Sequence, residues 1–186
     1  MARISVIEYE EANGRLLEIY NELIEKRGKL AEIHKIQSLR PESIIRHIDL
    51  YLEIMFSKSE LSRAEREMMA VVVSAANQCK YCISHHAEAL NHYWKDPEKT
   101  NTLIEDHSKA GINSRQNALC SFARQLTLQP ADFEEDNETN RLRSAGLTDS
   151  AILDATLVVA YFNFVNRIVL ALRVEPDKNE IKGYKY

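Results

Sequence analysis

The chain has 186 residues, 45% hydrophobic and 28% charged, a net charge of −4 and a pI of about 5.9. That is enough chain for a proper globular core, expected as a single domain over 1–186, while the acidic balance excludes a nucleic-acid surface, which needs a basic stripe. Three cysteines, two of them close together, are too few for a secreted disulfide scaffold, and the opening M-A-R-I-S-V lacks the apolar stretch of a signal peptide, so the expected location is cytoplasmic.

Only five glycines and four prolines punctuate the sequence, and apolar residues recur mostly at helical spacing, so the expected class is all-α. Residues 1–9 are expected as an extended arm containing the one strand-like run, 4–7. A helix follows over about residues 10–26, with Leu16, Leu17, Ile19, Tyr20, Leu23 and Ile24 as its apolar stripe and Gly28 as C-cap. After a connector through Ser38, Pro41 opens a second helix to about Phe56, offering Ile44, Ile45, Ile48, Leu52 and Ile54 for burial, and residues 57–60 form a polar loop. Ser62-Arg63-Ala64-Glu65 fits a capping box and starts the next helix. Met68, Met69 and Val71 to Val73 make it apolar on nearly every side, hence central, so the carboxylate of Glu67 within it must have a purpose.

Asn77-Gln78 breaks that helix, and Cys79-x-x-Cys82 followed by His86 opens another, running to about Trp94 and stopped near Asp96-Pro97. Further helices are expected over about residues 97–109, closed by Gly111; from Asn113 or Ser114 through Leu126 to Pro130; and over about 133–143, closed by Gly146. Thr148 or Asp149 opens the last and longest. Its apolar segment 151–172 could span a bilayer by length, but Asp154, Asn163, Asn166 and Arg167 make it a buried helix, with no membrane partner expected. Residues 174–186 form a polar tail or partner-contacting arm. An offset of 86 aligns Leu61 with Leu147, Ser62 with Thr148, Val72 with Val158, Val73 with Val159 and Asn77 with Asn163, which suggests two degenerate helical repeats, the second without cysteines or histidine.

The residues from Glu67 to His86 carry the chemistry. On a helix Cys79 and Cys82 are neighbours at i,i+3, and Cys82 and His86 at i,i+4. Glu67 would lie roughly 18 Å from Cys79 along one straight helix, but folding two helices about Asn77-Gln78 sets Glu67 against His86. The expected order of contacts is Glu67, His86, Cys82, Cys79. A carboxylate-held imidazole favours the reactive thiolate, and a second cysteine closes a disulfide that an outside reductant can reopen.

Glu67, the Cys79-x-x-Cys82 pair and His86, at this spacing, resemble the signature of the alkylhydroperoxidase D (AhpD)-like family within the carboxymuconolactone decarboxylase-like superfamily. Lys80-Tyr81 and the run 160–167, A-Y-F-N-F-V-N-R, resemble its peroxidase-related branch, and the likeness covers the chain from about Ser38 onwards. Some members carry a histidine between the cysteines where this chain has Tyr81. The resemblance implies an AhpD-like helical fold and a thiol peroxidase reducing hydroperoxides, with Cys82 attacking, Cys79 resolving and Glu67 with His86 relaying protons. The first cysteine of other C-x-x-C helices is the reactive one, which leaves reversed roles open. Implied partners are a hydroperoxide, a dithiol or protein reductant and copies of the chain in a trimer or hexamer; no cofactor is expected.

A structural zinc bound by Cys79, Cys82, His86 and Glu67 is the main chemical rival, weakened by the missing second ligand pair. A carboxymuconolactone decarboxylase-type enzyme would leave the dithiol unexplained, and a non-enzymatic redox sensor would oxidise once without turnover. Cys120 is expected as an inert core thiol, His85 as structural or solvent-facing, and Tyr81 mainly as packing. His34, His47, His92 and His107 have no acidic or thiol partner at meaningful spacing. Asn163 and Asn166 brace either the active-site turn or an interface.

Overall fold

The computed structural model describes residues 1–134, 138–176 and 180. Among them there is no strand, and the chain is built of α1 (Gly14–Arg27), α2 (Glu32–Lys35), α3 (Pro41–Phe56), α4 (Arg63–Ala76), α5 (Lys80–Trp94), α6 (Pro97–Glu105), α7 (Ser114–Leu128), α8 (Glu138–Ser144) and α9 (Asp149–Leu172), with short 3₁₀ turns at Tyr9–Glu11, His107–Lys109 and Pro130–Glu134.

The middle of α4 is the centre of the core. Every residue from Glu65 to Ser74 is buried, and α5, α7 and α9 pack around it. Each fully buried valine or methionine there contributes about 1.5–3 kcal/mol of transfer free energy, so the helix has no solvent face to spare. The expected capping box is present: the Ser62 hydroxyl accepts the Glu65 N–H, and Glu65 accepts the Ser62 N–H at 2.8 Å. A smaller core forms where Leu16, Ile19, Tyr20 and Leu23 of α1 meet Ile44 and Ile48 of α3. Gly28 closes α1 at φ 80°, a left-handed conformation that favours glycine.

Several boundaries differ from the sequence expectation. The first helix starts at Gly14 rather than near residue 10, because Ala12 and Asn13 are extended; the preceding 3₁₀ turn is pinned by Tyr9 donating to Asn21 at 2.8 Å. The connector to Ser38 contains α2. The helix expected to reach residue 109 ends at Glu105, since Asp106 is extended and its carboxylate caps the following 3₁₀ turn. Of the helix expected over 133–143, α8 holds the part from Glu138, while residues 135–137 lie outside the described residues. Leu52 in α3, expected to be available for burial, is 41% exposed.

Within the tail, Val174 and Glu180 are buried. Glu180 accepts the Glu32 N–H at 2.9 Å, so at that residue the tail packs on its own chain; 177–179 and 181–186 lie outside the described residues. By length and composition α9 could cross a membrane, but ten of its residues, from Ala151 to Val169, are buried in this fold. Of the residues paired by the 86-residue offset, Ser62 and Thr148 each accept a backbone N–H as caps of α4 and α9, whereas Asn77 follows the end of α4 and Asn163 lies inside α9.

Candidate active site

The candidate site residues are assembled by one turn. α4 ends at Ala76, Gln78 takes φ 56°, and Cys79 becomes the N-cap of α5. The Asn77 amide donates to Asn163 at 3.0 Å and to Asn166 at 3.1 Å, and Asn166 in turn donates to Ser74 at 3.3 Å. Of the two alternatives for these asparagines, the turn is the one they brace: α9 clamps the point from which both cysteines are displayed.

The α4–α5 hairpin brings Glu67 and His86 together as the residue count requires, with His86 Nδ1 2.7 Å from Glu67 Oε2. A carboxylate accepts only, so Nδ1 carries a proton, and in the neutral ring the lone pair lies on Nε2. The other carboxylate oxygen accepts from Arg63 Nε at 2.9 Å and Nη2 at 2.5 Å. Glu67 is 0% exposed. Burial pushes its carboxyl upward, but the attraction and hydrogen bonds of His86 and Arg63 outweigh that and hold it below the usual carboxylate range. It is a buried anion with each oxygen committed to a partner, so binding zinc would require it to give up His86 or Arg63.

Cys79 and Cys82 are free thiols with their sulfurs 3.0 Å apart, both buried. The Cys82 thiol is placed to donate to a Cys79 thiolate, and with the Cys82 backbone N–H this pulls Cys79 below the ordinary thiol range despite burial. The helix N-terminus acts in the same direction. Cys82 is pushed up by its bond to Cys79 and by burial, with the Asn166 amide opposing. Access favours the other sulfur. A cavity of about 100 Å³ is lined by Cys82, His86 and Glu67, whereas Cys79 is absent from its wall. Among the described residues no hydrogen bond joins His86 to Cys82, and both border the cavity. Cys120 is buried on α7 and off the cavity wall, and burial pushes its thiol well up.

The rest of the wall was not foreseen. His85 is buried and stacks on Tyr81 with centroids 4.5 Å apart, so it is not solvent-facing. Tyr81 packs and also bonds: its oxygen accepts the Ile33 N–H at 3.2 Å, and its hydroxyl pairs with Glu180. His34 and His47 border the same cavity, with Tyr51, Phe56, Tyr161 and Phe162. Phe162 stands edge-on to His86 at 4.5 Å between centroids. Arg63, at i−4 from Glu67, could have been found by spacing. His47 and Tyr161, 114 residues apart, could not.

Fold and site together define a helical dithiol protein with a carboxylate-held imidazole beside its cysteine pair. The model of the carboxymuconolactone decarboxylase family matches residues 45–119. An uncharacterized peroxidase-related protein from Silicibacter sp. TM1040 is 31% identical, with TM-score 0.81, covering 89% of this chain and 86% of that one. A peroxidase-related protein with an alkylhydroperoxidase AhpD core from Ralstonia eutropha JMP134 is 27% identical, with TM-score 0.84 and 97% and 94% covered. The debrominase Bmp8 shares the fold at 19% identity, with TM-score 0.76 and 97% and 98% covered. The chain belongs to the AhpD-like carboxymuconolactone decarboxylase superfamily.

Proposed function

We propose that the protein is a thiol-dependent peroxidase that reduces organic hydroperoxides. The observation carrying this reading is that Cys82 and the Glu67-oriented His86 border one small, aromatic-walled cavity while Cys79 lies directly behind Cys82. His86 takes the Cys82 proton, through a water where needed. The thiolate attacks the terminal oxygen of ROOH, the O–O bond breaks, and Cys82 becomes a sulfenic acid as ROH leaves. Cys79 then displaces water from that sulfur to give the Cys79–Cys82 disulfide, and an external dithiol returns both to thiols.

The relay makes a testable demand. Glu67→Gln should slow Cys82 alkylation at neutral pH and move its pH profile upward, and should slow peroxide reduction by about 10²-fold, the lower part of what general-base assistance supplies. The Arg63 contact adds a cost that spacing alone did not suggest: breaking a buried ion pair from one side is worth about 3 kcal/mol or more, so the melting temperature should fall too. An unchanged alkylation profile alongside that fall would make Glu67 a structural carboxylate only.

Copies of the chain are the proposed partners in a homo-oligomer, trimer or hexamer. Leu153, Leu157 and Phe164 are exposed on α9 at a spacing of four and seven residues, an apolar stripe suited to a helix from another copy. Leu157→Glu should convert the wild-type oligomer to monomer in light scattering. A wild-type protein that is already monomeric would remove the proposal.

A further inference from the structure

Two tyrosines in the cavity have their acceptor sides occupied and their hydroxyl protons free. The first lies at the end of a chain whose polarity is fixed from its far end. The Gln37 amide nitrogen is 2.8 Å from the Ile33 carbonyl, which only accepts, and 2.7 Å from His47 Nδ1. The amide therefore donates to both, and His47 Nδ1 is an acceptor. The proton of the neutral ring must then sit on Nε2, which lies 2.7 Å from the Tyr161 oxygen and donates to it. Burial holds the His47 pKa down to about 4, in keeping with a neutral ring. The second is Tyr51, whose oxygen accepts from Arg63 Nη2 at 3.2 Å; a guanidinium can only donate. Neither hydroxyl proton has an acceptor among the described residues.

The rings of Tyr51 and Tyr161 lie 5.8 Å apart, and both border the cavity with Cys82 and His86. The Arg27 guanidinium stands 5.2 Å from the centre of the Tyr51 ring, also on the cavity wall, with no carboxylate partner among the described residues. Two fixed O–H donors and a nearby cation make a place for negative oxygen.

We propose that Tyr51 and Tyr161 form an oxyanion subsite that receives the alkoxide leaving an organic hydroperoxide. This rests on the peroxidase reading and names the group that the reaction leaves unassigned. When the Cys82 thiolate attacks the terminal oxygen, two electrons pass from sulfur into the breaking O–O bond, and RO⁻ forms against the two hydroxyls. RO⁻ takes a proton from Tyr161, and the proton that His86 removed from Cys82 restores the phenol, so the step is neutral overall. Phe56, Phe162 and Val165 on the wall accommodate the organic group R, which favours alkyl or aryl hydroperoxides over hydrogen peroxide.

The test separates this subsite from the peroxidase reading. In single turnovers of reduced protein, Tyr161→Phe should slow tert-butyl hydroperoxide, whose leaving group is strongly basic, by roughly 100-fold. It should slow peracetic acid, which releases weakly basic acetate, less than tenfold, with iodoacetamide alkylation of Cys82 unchanged. Tyr51→Phe should repeat the pattern, and it guards against a folding defect at Tyr161. Independently of turnover, 4-nitrophenolate titrated against Cys82→Ser protein should bind about tenfold more weakly once Tyr161→Phe is added. Equal slowing of both peroxides, or nitrophenolate binding that is absent or indifferent to the tyrosine, overturns the subsite. A wild type that reduces no peroxide yet binds nitrophenolate through Tyr161 overturns the peroxidase reading and keeps the subsite.

Discussion

Cys82→Ser is expected to abolish peroxide consumption, with a loss of 10³-fold or more set by the absence of the attacking sulfur. Cys79→Ser is expected to behave differently: one equivalent of peroxide is consumed, a sulfenic acid accumulates on Cys82, and turnover stops. The asymmetry is informative because acidity and access point to different sulfurs. Cys79 is the more acidic, at the N-terminus of α5 with Cys82 placed to donate to its thiolate, yet it lies off the cavity wall. Cys82 is harder to ionise but faces the space where a peroxide would sit beside His86. Because the two sulfurs lie within hydrogen-bonding distance, the first ionisation leaves one proton shared between them and belongs to the pair, and encounter with substrate should decide which sulfur reacts. Access should win. Trapping the sulfenic acid with a dimedone-type reagent and mapping it by mass spectrometry checks this; the label on residue 79 of a Cys82→Ser protein would reverse the roles.

A second large effect should appear in acid. Burial first of all pushes the imidazoles of His34, His47 and His85 down, to about 3, about 4 and about 3. The same groups titrate near 6.5 when unfolded. Below that value the unfolded chain binds protons that the folded chain refuses, so stability is full above about pH 6.5 and declines as pH falls towards the folded values. Each histidine contributes up to about 1.4 kcal/mol per pH unit, and three together about 4, against a total stability of about 5–15 kcal/mol. Glu67 adds to the loss lower down: its depressed carboxyl stabilises the fold above the unfolded value near 4.3, and that contribution disappears as pH falls through its own pKa. Denaturant melts followed by circular dichroism should show stability falling steeply between about pH 6.5 and 4.5. A flat profile over that interval would mean that these imidazoles are hydrated or charged in the folded protein.

The central hairpin was legible in the sequence because it depends on counting. Ser62 and Glu65 mark where α4 begins, Asn77-Gln78 marks where it ends, and the numbers of residues either side of the turn place Glu67 against His86. What spacing could not supply was the far wall of the cavity. Tyr51 and His47 on α3 meet Tyr161 on α9, contacts between helices more than 100 positions apart that no local period encodes. The same holds for His34, which reaches the cavity on a single helical turn in what the sequence presents as a connector. Gln78 gives no glycine signal for its left-handed conformation; the asparagine clamp from α9 holds that strain in place.

The most direct test of the account is to add one equivalent of tert-butyl hydroperoxide to fully reduced protein and follow peroxide, thiols and peptide masses together. A dithiol cycle requires that one peroxide disappears per chain, that two thiols are lost, that the Cys79–Cys82 disulfide appears while Cys120 stays reduced, and that an external dithiol restores both the thiols and a second round of consumption. Peroxide loss without that disulfide, a bridge that includes Cys120, or oxidation that no dithiol can reverse would contradict it.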